Sequence, residues 1–403
     1  MNNPAGKALF RNERLRSALM VGAALGLIAL GFVLLLLPLK ANGEEPQKIV
    51  LSAERWTTTG GVDFVKHNGM DAMNLKAGNY AQHVPTGRAV LNDLVFSNGT
   101  IEFDIEATAG MGGGFGFRRR DDKTFEDFYL RAKPNCDQAF DCIQYTPQTH
   151  GVLLWDVYPR YQAPAPVKIG EWNHVKLVVS GHRMNIFING EKSPSLNVGR
   201  LEGDTTEGGI ELEGPAFFAN LTIAPNAVEG LSPQPEKDKT DTDLGFVRNW
   251  QLSPFSELAA DKEPALADLP DASAAWQSLT AERAGLVNIS RVYGIPLDRP
   301  KLALAWLKTS IHSDQEQTQK VNFGWVREAW VFVNGKPVYA DKNLYQPPSA
   351  RKEPDGRCAI ENGSFLLPLK QGDNDVVVAV ANNFYGWGII FHLDDVNGIR
   401  LKQ

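Results

Sequence analysis

Residues 100–106 read TIEFDIE, with Ile101, Phe103 and Ile105 at every second position and Glu102, Asp104 and Glu106 between them. Successive side chains of a strand point to opposite faces, so this stretch buries one face and turns an acidic one to water. The same period recurs along most of the chain. Phe128 and Leu130 oppose Tyr129 and Arg131, and residues 174–179, 184–188, 209–212 and 217–223 continue the pattern between clusters of Gly, Asn, Pro and Asp. Many short alternating runs broken by turn residues predict an all-β sandwich. Alternation returns in residues 287–293, 302–311, 320–333, 364–369, 375–381 and 388–393, which predicts a second antiparallel sandwich. Asn189-Gly190 and Asn334-Gly335 follow apolar runs, where both residues tolerate a positive φ and favour hairpins.

Between the two series, residues 226–244 are polar, charged and proline-bearing, which predicts a flexible linker. The division is therefore 48–225 and 245–403 for the two sandwiches, with short helices expected near 254–260 and 273–279. Ahead of both lies an uncharged stretch of 23 residues, 17–39. As a helix it would reach about 34 Å, enough to span a bilayer core. The tail 1–16 holds Lys7, Arg11, Arg14 and Arg16 against Glu13, and Glu44-Glu45 follow the stretch. The positive-inside rule keeps such a tail in the cytoplasm and sends everything after Lys40 across the membrane. A signal sequence cleaved after Ala41-Asn42-Gly43 also fits, although the apolar run is long for one. The expectation is a single-pass anchor with extracytoplasmic domains.

Charge and cysteine usage narrow the function. Net charge is −6, and the body beyond the basic tail is more acidic still, with no basic stripe, which argues against nucleic acid. Three cysteines cannot form a Cys₄ zinc site. In an exported protein, Cys136 and Cys142, with five residues between them, are expected to form a disulfide, leaving Cys358 as a buried thiol. The seven histidines include no i,i+4 pair, so no metal site is expected from them. Asp121-Asp122 and Asp373-Asn374-Asp375 are the loops where a structural calcium would sit. GxSxG, GxGxxG and P-loop motifs are absent.

The segments FSNGTIEFDIEA, GGGFGFRRR, DFYLRAK, QYTPQTHGVLLW, GEWNHVKLVVSG and MNIFING, in that order, resemble the concanavalin A-like lectin/glucanase jelly rolls. The likeness is to the laminin-G-like and 3-keto-disaccharide hydrolase-like branches. WVFVNGKPVY, FLLPLKQGDNDVVVAVAN and FYGWGIIFHL resemble the galactose-binding-like jelly rolls appended to exported glycosidases. Such a resemblance implies fold more than activity. It implies a sugar-binding cluster of Arg118, Tyr129, Arg131, Gln144 and Trp155 on a concave sheet face. Retaining β-glucanases of the superfamily carry a strand spaced like Glu102-x-Asp104-x-Glu106, which makes these three the candidates for catalysis. An acidic face on a half-solvated strand is the plainer account of them. The preferred reading is a membrane-tethered carbohydrate-binding protein. A glycoside hydrolase-like enzyme and a structural or protein-binding ectodomain are the alternatives.

Overall fold

The computed structural model describes residues 45–107, 110, 112–259, 262–294 and 301–401. Residues 1–16 and the apolar stretch 17–39 lie outside them. Among the described residues no helix is long and apolar enough to cross a membrane.

The first sandwich consists of two antiparallel sheets. In the first sheet the strand order is Leu196–Val198, Arg183–Ile188, Asn173–Ser180, Gly99–Ala107, Ala216–Pro225, Met70–Leu75 and Val62–His67. In the second it is Val152–Leu153, Ile143–Thr149, Thr124–Leu130, Gly114–Asp121, Gly209–Glu213, Arg88–Leu91 and Trp56–Thr59. The core forms as alternation dictates. Ile101, Phe103 and Ile105 from the first sheet meet Phe115, Phe117, Phe128 and Leu130 from the second. Phe103 stacks on Phe115 with ring centres 4.6 Å apart. Each such fully buried side chain contributes about 1.5–3 kcal/mol.

The second sandwich pairs a larger sheet with a smaller one. Gln277–Thr280, Asn249–Leu252, Leu302–Ser313, Gly372–Asn382, Arg327–Val333 and Lys336–Asn343 run side by side in the larger. Leu286–Asn288, Gly388–Leu393, Gln317–Trp325 and Gly363–Leu369 form the smaller. Asn334-Gly335 makes the two-residue hairpin, with φ of 47° and 79°. The two expected helices are strands instead. Ser256–Leu258 pairs with the strand Leu302–Ser313, and Gln277–Thr280 pairs with Asn249–Leu252. Segments this short cannot hold an isolated helix, and a sheet edge offers them hydrogen bonds.

Residues 226–244 are not a free linker. His182 N donates to Pro233 O (3.0 Å) and Glu236 N to Gly199 O (2.8 Å). Arg183 reaches Glu236 at 2.6 Å, and Ala284 N donates to Asp238 Oδ2 at 2.7 Å. The polar composition denies the segment a core of its own, yet supplies the carbonyls and carboxylates that fix it to its neighbours. The described residues accordingly form one compact unit. Phe246, Leu286, Val326, Cys358 and Ile390 of the second sandwich join the apolar cluster of the first. Polar ties cross the same seam: Arg291 reaches Asp204 (2.8 Å), Tyr158 donates to Glu282, and Arg357 reaches Asp141 (3.1 Å).

Candidate functional site

The residues singled out in the sequence separate onto different faces. Glu102, Asp104 and Glu106 point outward from the first sheet and find partners there. His174 Nδ1 lies 2.8 Å from Asp104 and its Nε2 lies 3.1 Å from Glu102. Asn220 donates to Asp104 (2.7 Å), and His67 Nε2 sits 3.0 Å from Glu106 while stacking on Phe217 at 3.8 Å. Burial works to lower the His174 pKa, but its bonds to Asp104 and Glu102 outweigh that and raise it. Each of these carboxylates ties its strand to a neighbour.

Arg118 also leaves the expected cluster. The register of its strand slips between Phe117 and Asp121, and Arg118 takes a φ of 51°. Against the other neighbouring strand, Gly209–Glu213, the slip adds one residue, which reverses the alternation. The buried Arg118 guanidinium donates to the carbonyls of Ser97 (2.8 Å) and Gly181 (2.8 Å), a structural clamp. Arg119 takes the outward position and reaches Glu211 at 2.6 Å.

Tyr129, Arg131 and Gln144 do come together, on the outward face of the second sheet. Tyr129 Oη donates to Gln144 Oε1 (2.9 Å), and Arg131 Nη2 donates to both Tyr129 Oη (2.8 Å) and Gln144 Oε1 (2.9 Å). The Arg131 guanidinium lies 4.8 Å from the Tyr129 ring centre. Gln144 Nε2 donates to the Trp155 carbonyl (2.8 Å). Cys136 and Cys142 are bridged, closing the loop beside Arg131 and Asp141. Burial works against the Asp141 charge, but Lys133, Arg131 and Arg357 outweigh it and hold the carboxyl below its usual range.

The register extends this face to residues that sequence reasoning missed. Tyr129 sits opposite Gly114, which sits opposite Glu213, itself opposite Arg88. One row along, Asp127 faces Gly116, which faces Glu211. The glycines make room: a Cβ on Gly116 would fall 2.5 Å from Glu211 Cγ, and one on Gly114 would fall 3.2 Å from Asp127 Oδ1. Burial, with Glu213 and Glu211 close by, pushes Asp127 well above the usual carboxylate range, against the pull of Arg88. Burial raises Glu211 and Glu213 as well, again opposed by Arg88. Asp127 is 5% exposed, and a backbone hydrogen bond from Phe128 reaches its carboxylate. Glu211 Oε1 is buried without a hydrogen-bond partner. Asp127 was visible in the sequence as the residue sharing a strand face with Tyr129 and Arg131. The alignment of Glu211 and Glu213 beside it depends on strand order, which local pattern does not encode.

Trp155 is 7% exposed and fills the seam rather than offering an open platform. Its ring meets Tyr345 (5.1 Å), Tyr385 (5.7 Å) and Phe384 (6.3 Å) edge-on, with the Arg357 guanidinium 5.1 Å from its centre. The next residue, Asp156, accepts a hydrogen bond from Gly386 N (2.9 Å), and burial pushes its pKa up to about 7. Burial does the same to Glu126 inside the first core, also to about 7, although Tyr145 donates to it at 2.7 Å.

The two loops considered for calcium are engaged otherwise. Asp122 pairs with Arg119, Asp121 with Arg120, and Asp373 with His312. The Asn374 amide donates to the carbonyls of Lys370 and Gly372. Among the described residues no group of three or more His, Cys, Asp or Glu is placed to hold a metal ion.

Comparison with known proteins bears on the first sandwich. No curated protein matches the sequence. Solved structures that overlap it include the carbohydrate-binding module CBM66 from Bacillus subtilis, at 17% identity and a TM-score of 0.31, covering 42% of this chain and 93% of that one. The Bacillus licheniformis β-glucanase overlaps at 10% identity and a TM-score of 0.30, covering 46% and 99%. Residues 49–224, the span that carries the Asp127 face, match the family of 3-keto-α-glucoside-1,2-lyase-like domains, and the first sandwich resembles that branch of the concanavalin A-like jelly rolls.

Proposed function

We propose that the first sandwich holds a carbohydrate on the outward face of its second sheet, over Asp127 and beside Tyr129, Arg131 and Gln144. The observation that carries this reading is Asp127 itself. A carboxyl group largely removed from water and held by one backbone amide keeps lone pairs free, so its place on a polar face suits a donor from outside the chain. Sugar hydroxyls supply such donors, and the family to which residues 49–224 are similar is named for a glucoside. The test is a glycan array on the full chain, followed by titration of the best α-glucoside. Asp127→Asn should weaken that ligand about 10- to 100-fold, as expected for a lost charged hydrogen bond. Unchanged affinity in Asp127→Asn would refute the placement.

A second reading, glycoside cleavage at the same face, is favoured by the raised pKa of Asp127. In a 3-keto-glucoside the C2 proton is acidified by the neighbouring ketone. A carboxylate tuned toward neutrality is suited to take that proton as the C1–O bond breaks and the aglycone leaves with the electron pair. Release of aglycone from a 3-keto-α-glucoside by wild type and not by Asp127→Asn would establish it.

We further propose that the compact unit is exported and held at a membrane by residues 17–39. The charge asymmetry around that stretch supports this, and so does the Cys136–Cys142 disulfide, which belongs to an oxidising compartment. An alkaline phosphatase fused after Gln403 should be active. Activity only from a reporter that requires the cytoplasm would reverse the topology.

A further inference from the structure

A cavity of about 860 Å³ opens where residues 226–244 meet both sandwiches. Its walls come from the loop 200–204 of the first sandwich, from residues 235–241, and from residues 248, 281–283 and 291 of the second sandwich. That volume lies within the range of small-molecule sites.

Most of the charges on these walls are already paired. Arg291 is taken by Asp204 (2.8 Å) and Glu282 (2.7 Å), and Arg183 reaches Glu236 at 2.6 Å. Tyr161 donates to Glu202, and Arg200 reaches the same carboxylate at 3.3 Å. Asp238 accepts hydrogen bonds from Thr240 N (2.9 Å), Thr240 Oγ1 (3.0 Å) and Ala284 N (2.7 Å).

Three cations are left over. Among the described residues, Lys237, Arg248 and Arg283 have no carboxylate within 4.0 Å. Arg248 donates to the Thr240 carbonyl (2.7 Å), and Arg283 donates to the carbonyls of Glu236 and Lys237. These carbonyls aim the two guanidinium groups and leave their charge unpaired. Arg283 Nε is also buried without an acceptor. The turn that carries Arg283 is strained, since Ala284 holds a φ of 56°. A residue with a Cβ keeps that conformation only where its surroundings over-determine it. Asp241, exposed on the same walls, makes no ion pair among the described residues. Cations open to an acid, beside a carboxylate open to hydroxyl donors, fit a ligand that carries both groups.

We infer that this cavity binds an acidic saccharide, a short chain of sugars bearing carboxylates. Its acid groups meet Lys237, Arg248 and Arg283, and its hydroxyls donate to Asp241. The site shares no residue with the Asp127 face and stands whether or not that face holds a carbohydrate.

The test is calorimetric titration of the full chain with two acidic disaccharides, digalacturonate and diglucuronate, with their neutral counterparts, and with inorganic phosphate. At least one acidic disaccharide should bind more than about tenfold tighter than its neutral counterpart and than phosphate, and should weaken as salt is raised. Arg248→Gln and Arg283→Gln should each weaken it about tenfold. Lys237→Gln, at an exposed side chain, should weaken it about threefold with an unchanged melting temperature. Arg248→Lys keeps the charge and gives up the fork that reaches Thr240, so it should retain most of the affinity that Arg248→Gln loses. Lys and Gln variants of Arg248 that fail alike would make the residue structural and overturn its role in binding. A wild type that binds neither acidic disaccharide, or that binds the neutral sugars or phosphate as tightly, would overturn the proposal.

Discussion

The first sandwich carries two faces with three carboxylates each, and they are chemically unlike. On the first sheet, Glu102, Asp104 and Glu106 meet two imidazoles and two amides. On the second, buried Asp127 and Glu211 lie beside half-buried Glu213, with Arg88 and Arg119 as the cations that temper them. Alternation places residues on a face in both cases. What lies beside the face decides whether a carboxylate is a tied strut or a group whose pKa is raised.

The largest expected contrast is in stability. Arg119→Met removes the 2.6 Å partner of buried Glu211 and should cost about 3 kcal/mol in chemical denaturation. His174→Ala, at the half-exposed pairs on the other face, should cost less than about 1 kcal/mol. Equal losses would erase the distinction between the faces.

The pH dependence of unfolding sharpens it. A carboxyl whose folded pKa is raised binds its proton more tightly folded than unfolded, so stability falls as pH rises from the ordinary carboxylate value to the folded one. For Glu126 and Asp156 that window runs from 4.5 and 3.8 respectively to about 7. His174 is raised above 6.5, so its contribution is complete below 6.5 and disappears as pH climbs through its folded value. Glu126→Gln and Asp156→Asn should each flatten the melting temperature between pH 4.5 and 7. His174→Asn should flatten it only above about pH 6.5. A profile in which His174→Asn changes the acid limb would contradict these assignments.

The smallest effect is expected at Glu106. Glu106→Gln leaves the His67 ring stacked on Phe217 and should shift stability by less than about 0.5 kcal/mol. A larger loss would make this face a second buried network.

Much of the fold was legible because strand alternation is a local property. Phe103, Phe128 and Leu130 point where period two sends them, and Asn334-Gly335 turns where its backbone freedom allows. The helices expected at 254–260 and 273–279 were illegible because the sheet edges that recruit those segments lie elsewhere in the chain. The site was legible in part. Tyr129, Arg131 and Gln144 meet because adjacent strands bring them into register, and Asp127 follows from the same strand face. Arg118 departed because a one-residue bulge leaves no trace in hydrophobic pattern. Glu211 and Glu213 join the Asp127 face only through strand order.

That docking has a consequence for how the protein lives and is taken apart. The Arg291–Asp204, Tyr158–Glu282 and Arg357–Asp141 ties and the shared apolar cluster cross one boundary, so neither sandwich has a finished surface on the side it turns to the other. A cut in residues 226–244 would not yield two tidy modules. It would uncover charged groups and apolar patches that invite aggregation, and it would leave the half matching the lyase-like family without its aromatic neighbours. Heating should therefore give one endotherm for the whole body, the two halves melting together.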